Sequence, residues 1–208
     1  MHDNNNPNVP ATGISGEAPV GTGIEISGGS FDTIQNNVVE NQGAWGIVTH
    51  EFPDFETPPS ISHCEGGTQL GHLCLFTAKG NLVQNNQLQN NGFFGNPTNG
   101  DLANEDTSSP RNCFLGNTDP GGLSSAPPNI QTVDGQPCDQ SGPGDGSVLV
   151  QLGCAAGILA CPPGSSYPPT TQVQMLPLSH QDTMANPCAS LPRRTRWCPD
   201  GVYTGPSS

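Results

Sequence analysis

The chain has 208 residues, with 5 Lys or Arg against 18 Asp or Glu, for a formal net charge of −13. That balance excludes the basic surfaces that grip nucleic acid, and the absence of any long apolar run excludes a membrane-spanning helix from the sequence. Gly (27) and Pro (22) are abundant and aromatics make only 5% of the chain, so few large core residues are on offer.

The first ten residues, MHDNNNPNVP, have neither a basic start nor an apolar stretch and so do not read as an export signal. His2-Asp3-Asn4-Asn5 resembles the end of a repeat unit found further on. The expectation is a chain truncated at its N-terminus, with an export signal and earlier units upstream.

Apolar runs at Gly23 to Ser27, Thr33 to Val39 and Trp45 to Thr49 are separated by SGGS and NQG, the pattern of three short strands divided by turns. The segment Ile34 to Gly46, IQNNVVENQGAWG, returns 49 residues later as Val83 to Gly95, VQNNQLQNNGFFG, with six of thirteen positions identical. The same register matches Ile24 with Leu73 and Ile26 with Leu75, which sets a unit of about 23 residues followed by an insertion of 26. So small a unit buries its apolar face only by stacking on a copy of itself. Stacked strands lie roughly 4.8 Å apart, so identical residues meet. Asn37 is expected over Asn86 and Asn41 over Asn90, each amide donating to one neighbour and accepting from the other. The plainer alternative is loop asparagines in left-handed backbone, which explains one copy but not matched spacing in two.

Both units close with an aromatic and a glycine, Trp45-Gly46 and Phe94-Gly95, and then release the polar loops IVTHEFPDFE and NPTNGDLANED. Under the 49-residue register Glu56 lies over Glu105 and His50 over Asn99. Glu51, Asp54, Glu56, Asp101, Glu105 and Asp106 then line one edge beside His50. Asp101, Glu105 and Asp106 are the candidate Ca²⁺ ligands of that edge, since Ca²⁺ takes six to eight oxygens. Glu51, Asp54 and Asp101 are the candidates for a carboxylate pair across a glycosidic bond. Trp45 and Phe94, with Phe52, Phe55 and Phe93, offer surface on which a sugar ring stacks. The bland alternative is a solvated acidic edge with Trp45 and Phe94 closing the unit. Lys79 and Arg111 are the only cations before position 136, too few for a polyanionic substrate and more in keeping with a neutral polysaccharide or cell-wall glycan.

Eight cysteines stand at positions 64, 74, 113, 138, 154, 161, 188 and 198, with no CxxC among them. Disulfides formed in an oxidising compartment are the expected state. Pairing by proximity joins Cys64 to Cys74, Cys113 to Cys138, Cys154 to Cys161 and Cys188 to Cys198, one of the 105 connectivities eight cysteines allow. Zinc held by His63-Cys64 and His72-x-Cys74 is the alternative at the first pair. Met1, Met175, Met184 and five scattered histidines form no soft-ligand cluster for copper.

The strings GIEISGGSFDTIQNNVVENQGAWGIVTHEFPD, GNLVQNNQLQNNGFFGNPTNGDLA and NCFLGNTDPGG resemble the right-handed parallel β-helix repeat proteins of the pectate-lyase-like superfold, in particular secreted bacterial members. The resemblance covers residues 1–135 and implies an all-β solenoid with long loop insertions. It carries no single activity, because the superfold hosts lyases, hydrolases, binding proteins and inert scaffolds. A secreted structural or carbohydrate-binding module is the functional expectation, with a polysaccharide hydrolase or lyase using the acidic loops as the alternative.

Residues 136–208 read as a Cys- and Pro-rich extension. Ser147 to Ala156 is the one expected helix, capped by Asp145 or Ser147 and laid over the open end of the stack. Beyond Pro162 the chain is expected to be extended, with Arg193, Arg194 and Arg196 beside Trp197 as its only basic cluster.

Overall fold

The computed structural model describes residues 1–9, 19–54, 64–105, 108–131 and 144–172. The chain divides into two compact units, Met1–Gln174 and Met175–Ser208, and every described residue lies in the first. Phe55, Glu56, His63, Asp106, Cys138, Cys188, Cys198 and the Arg193 to Trp197 cluster lie outside the described residues.

The described chain is mostly short strands, with one short helix. After β1 (Asn8–Val9) and β2 (Thr22–Ser27), a first pass runs through β3 (Thr33–Gln35), β4 (Val38–Glu40) and β5 (Trp45–His50). An excursion follows, with β6 (Phe52–Asp54), β7 (Thr68–Leu70) and β8 (Leu73–Phe76). A second pass holds β9 (Leu82–Gln84), β10 (Gln87–Gln89) and β11 (Gly100–Asn104). The third holds β12 (Cys113–Leu115), a bridge at Thr118 and β13 (Ser125–Ala126). The helix α1 (Gly146–Ala155) and β14 (Thr171–Gln172) complete the described elements.

Strands of successive passes pair in parallel. One sheet has the order β13-β11-β5-β2, a second β12-β9-β3, and a third pairs β10 with β4. Ile34 stands opposite Val83 and Val39 opposite Leu88, the 49-residue register read from the sequence. Phe114 stands opposite Val83 in turn, 31 residues on, so NCFLGNT is a third copy of the unit. Between the sheets Val39, Ile47, Val83, Leu88, Leu102, Phe114 and Ile130 form one buried cluster. Alternation along each strand sends their neighbours outward.

The corners are built from asparagine. Asn86 Oδ1 accepts from the backbone N–H and the side-chain amide of Asn37, both at 3.0 Å, and Asn86 donates in the same way to Asn117 Oδ1 at 3.1 and 2.8 Å. Gln131 ends that ladder, accepting the Asn117 backbone N–H at 2.7 Å. A parallel ladder runs from Asp32 through Asn81 to Asn112. At the outer corners Asn90 donates to Asn41 Oδ1 at 2.9 Å, and both residues sit at positive φ, 53° and 58°. Ladder and left-handed turn therefore coincide at Asn41 and Asn90. Asp3 repeats the same backbone at φ 57°, while His2 bridges Glu40 and Asn5 Oδ1 accepts from Gly43 N–H at 2.8 Å. Residues 2–5 thus take the place of the corner of a preceding pass.

Three expectations are corrected. Leu73 and Leu75 do not lie over Ile24 and Ile26. β8 pairs antiparallel with β6 and β7, and Ile24 instead faces Ile47, 23 residues on. The 49-residue register also ends at the corner after Asn91. Trp45 faces Gly100 and Thr49 faces Asn104, an offset of 55, because six extra residues bulge out around Phe93 to Thr98. Finally, α1 does not cover the end of the stack. Val148, Leu152 and Ala155 pack with Val48, Ala103 and Ala126, the outward side of the β5-β11-β13 sheet, while Ile130 fills the core beyond the third pass. The cap is as expected: Asp145 Oδ1 accepts the N–H of Ser147 at 2.9 Å.

Cys64 is bonded to Cys74 and Cys154 to Cys161, and Cys113 is disulfide-bonded as well. The disulfide at Cys64 and Cys74 replaces the zinc alternative there. Among the described residues no helix is long and apolar enough to cross a membrane.

Candidate functional site

The acidic and aromatic residues expected at one corner fall, apart from Asp54, into three environments. Asp101 is buried, and each of its oxygens is engaged. Oδ1 accepts from the Asn91 side-chain amide at 2.9 Å, while Oδ2 accepts from the Ser124 N–H and hydroxyl at 2.9 and 2.8 Å. These bonds join the second and third passes. Among the described residues no group of three or more His, Cys, Asp or Glu side chains is placed to hold a metal ion. Asp106 and Glu56, the other carboxylates of the expected edge, lie outside the described residues.

The second environment centres on His50. The 55-residue offset sets Glu105 opposite His50, in place of the expected Asn99. The imidazole is nearly enclosed, with Nε2 2.7 Å from Glu25 Oε1 and Nδ1 2.7 Å from the Glu51 carbonyl. Glu105 Oε2 accepts the Glu51 N–H at 3.1 Å. A carbonyl and an ionised carboxylate only accept, so both bonds are made together when both ring nitrogens carry a proton, as in the imidazolium. Burial, the largest influence, pulls its pKa down, and the bond to Glu25, the charge of Glu25, the Glu51 carbonyl and the charge of Glu105 together leave it raised. Glu25 was not singled out in the sequence. Its contact depends on the 23-residue offset that brings Ser27 opposite His50. Asp54 sits in β6, within the antiparallel excursion.

The third environment is aromatic. Trp45 is fully buried, its indole N–H donating to the Thr98 carbonyl at 2.8 Å and its ring stacked on Tyr167 at 5.9 Å between centroids. Phe94 is half-buried against Gly43 and Gly21 and meets Tyr167 edge-on. Tyr167 is held by Asn99, which donates to its hydroxyl at 3.0 Å, and by Gln151, which accepts from it at 2.9 Å. Burial pushes the Tyr167 hydroxyl up to about 12 although the bonds from Asn99 and Asn96 act the other way. Trp45 and Phe94 therefore hold the extended segment after α1 in place, and neither presents an open face on which a sugar stacks.

What the folded chain does present is an ordered wall of amides with Glu40 beside them. On β9 and β10 the inward residues Val83 and Leu88 alternate with Gln84, Gln87 and Gln89 on the outside. Gln84 donates to Gln35 Oε1 at 2.8 Å, so the amides of neighbouring passes are linked. Asn36 and Asn85 stand beside them at the exposed corner. A shallow cavity of about 110 Å³ opens on this wall, lined by Glu40, Gln87, Leu88, Gln89, Thr118 and Pro120. Of these positions Gln35 and Gln84 were legible in the repeat as an identical pair, but nothing in the repeat marked them as part of a surface. Comparison with protein-family models, with curated proteins and with solved structures finds no match for this chain.

Proposed function

We propose that the three passes are coils of a right-handed parallel β-helix, and that the protein is a secreted structural or carbohydrate-binding module taking a neutral cell-wall polysaccharide on its amide wall. The observation that carries this reading is the in-register pair Gln35 and Gln84, with Gln87 and Gln89 following past the next corner opposite Val38 and Glu40, so that amides stand on the outside of a chain of net charge −13. Amides match hydroxyls in both directions, since each supplies a carbonyl acceptor and two N–H donors. The cavity on this wall is lined by one carboxylate, Glu40, among amides and a hydroxyl that can bond to sugar hydroxyls. The disulfides at Cys64–Cys74 and Cys154–Cys161 support an oxidising, extracellular setting.

The test is retention on an array of soluble neutral polysaccharides, β-glucan, xylan and mannan, at low and high salt. Binding insensitive to salt, without release of reducing ends, and weakened about tenfold in a Gln87→Ala, Gln89→Ala double variant is the expected result. Release of reducing ends would favour the hydrolase alternative instead.

A further inference from the structure

Among the described residues eight non-glycine positions have positive φ, and six of them are Asn or Asp, the residue types that tolerate it. Thr98 is the seventh, and its carbonyl is held there by the indole N–H of Trp45. The eighth is Phe31, at φ 63°, and no comparable bond to its side chain or carbonyl accounts for it. Its own N–H donates to the Lys79 carbonyl at 3.0 Å, a bond that any residue with an N–H would make. The register shows what this corner otherwise uses. Thr33 faces Leu82, so Phe31 corresponds to Gly80, whose φ is 67°. The turn takes glycine in the second pass and phenylalanine in the first.

Nor is the ring hidden. Phe31 is 68% exposed, the highest value among the large exposed hydrophobics, and its inner side rests across Gly80, where an added Cβ would come within 2.7 Å of it. Here local backbone preference and burial both argue against the residue present, a conflict that marks function more often than packing. Phe31 also stands at the start of the outer wall that continues through Thr33 to Gln35, with Lys79 and Pro110 at its base.

We infer that Phe31 is a ligand-contacting residue, an aromatic platform on which one pyranose ring of a neutral glycan stacks while the chain runs on toward Gln35 and Gln84. This rests on the glycan reading above and adds to it the residue that supplies the apolar half of the contact. An aromatic face fits the C–H side of a sugar ring, and the amides fit its hydroxyls.

Phe31→Gly and Phe31→Trp are measured beside the parent for thermal stability and for retention on the same β-glucan, xylan and mannan probes. Glycine suits the backbone of this turn, so Phe31→Gly is expected to melt no lower than the parent and up to about 2–4 °C higher, while retention falls about tenfold or more. Phe31→Trp is expected to keep retention within about threefold, inside the reach of an aromatic exchange. A fall in melting temperature of the glycine variant would make Phe31 a packing residue and overturn the inference. Retention unchanged in Phe31→Gly would overturn it and leave the glycan reading standing. Failure of the parent to bind any probe would overturn both.

Discussion

Asn86 and Asn117, 31 residues apart, are joined by two hydrogen bonds to one atom: the backbone N–H and the side-chain amide of Asn86 both donate to Asn117 Oδ1, at 3.1 and 2.8 Å. Asn86 also donates to the Ile34 carbonyl at 3.1 Å and accepts twice from Asn37. Every polar atom of this fully buried side chain is therefore used. Asn86→Ala takes away the acceptor of the part-buried Asn37 N–H and the amide donated to Asn117 Oδ1 and the Ile34 carbonyl, at about 1–3 kcal/mol for each group left unpaired. Urea denaturation of Asn86→Ala is expected to show a loss of about 3–5 kcal/mol. A loss below about 1 kcal/mol would mean the ladder is incidental.

Asn90 calls for a different substitution pattern. It is exposed and sits at φ 53°, so its backbone counts for more than its bond to Asn41. Asn90→Gly is expected to stay within about 1 kcal/mol of the parent, since glycine takes this conformation freely. Asn90→Val, branched at Cβ, is expected to cost about 2 kcal/mol or more. Chemical denaturation of the pair gives the comparison, and equal losses would place the cost in the side-chain bond instead.

These two positions also explain how much of the fold was legible. A ladder requires the same residue at the same place in each pass, so Asn37/Asn86 and Asn41/Asn90 announced their register openly. That register failed where no ladder residue holds it. The bulge around Phe93 to Thr98 shifts the offset from 49 to 55, a difference of six, and moves Glu105 under His50. Leu73 and Leu75 misled for another reason. Alternating apolar residues signal a strand without naming its partner, and the antiparallel pairing with β6 and β7 uses the same alternation. The candidate site suffered most, because Glu25, Tyr167 and the outward glutamines acquire their roles only from which pass lies beside which.

His50 makes stability depend on pH. The fold holds its pKa above the ordinary 6.5, so the folded state binds the proton more tightly than the unfolded chain. The resulting stabilisation is present in full below about pH 6.5 and is lost as pH rises through the raised folded value. Melting temperature followed from pH 5 upward is expected to fall across that window in the parent, at roughly constant slope from other groups in His50→Gln. His50→Gln is also expected to cost about 2 kcal/mol at the acid end, where the charged bond to Glu25 is lost. An identical pH profile in the two proteins would show that the imidazolium is not stabilised.

Tyr167 acts at the other end of the scale. Its hydroxyl is raised to about 12 from 10.0, so its contribution holds below pH 10 and fades as pH approaches about 12. Tyr167→Phe keeps the ring on Trp45 and gives up the bonds with Asn99 and Gln151, about 1–2 kcal/mol at neutral pH. Alkaline unfolding of this variant is expected to lose the Tyr167 component, which a pH-jump denaturation series would reveal as a shallower decline above pH 10.

The stacked passes held by asparagine ladders underlie every reading given for this chain, and hydrogen exchange of the side-chain amides of Asn86 and Asn117, followed by nuclear magnetic resonance, tests them most directly. Both side chains are buried and donate within the stack, Asn86 to Asn117 and Asn117 to the Val83 carbonyl at 2.9 Å. Their exchange is expected to be as slow as that of the backbone amides of Val83 and Leu88, opening only with the fold as a whole. Exchange of these side-chain amides as fast as those of the exposed Gln87 and Gln89 would contradict the stacked architecture.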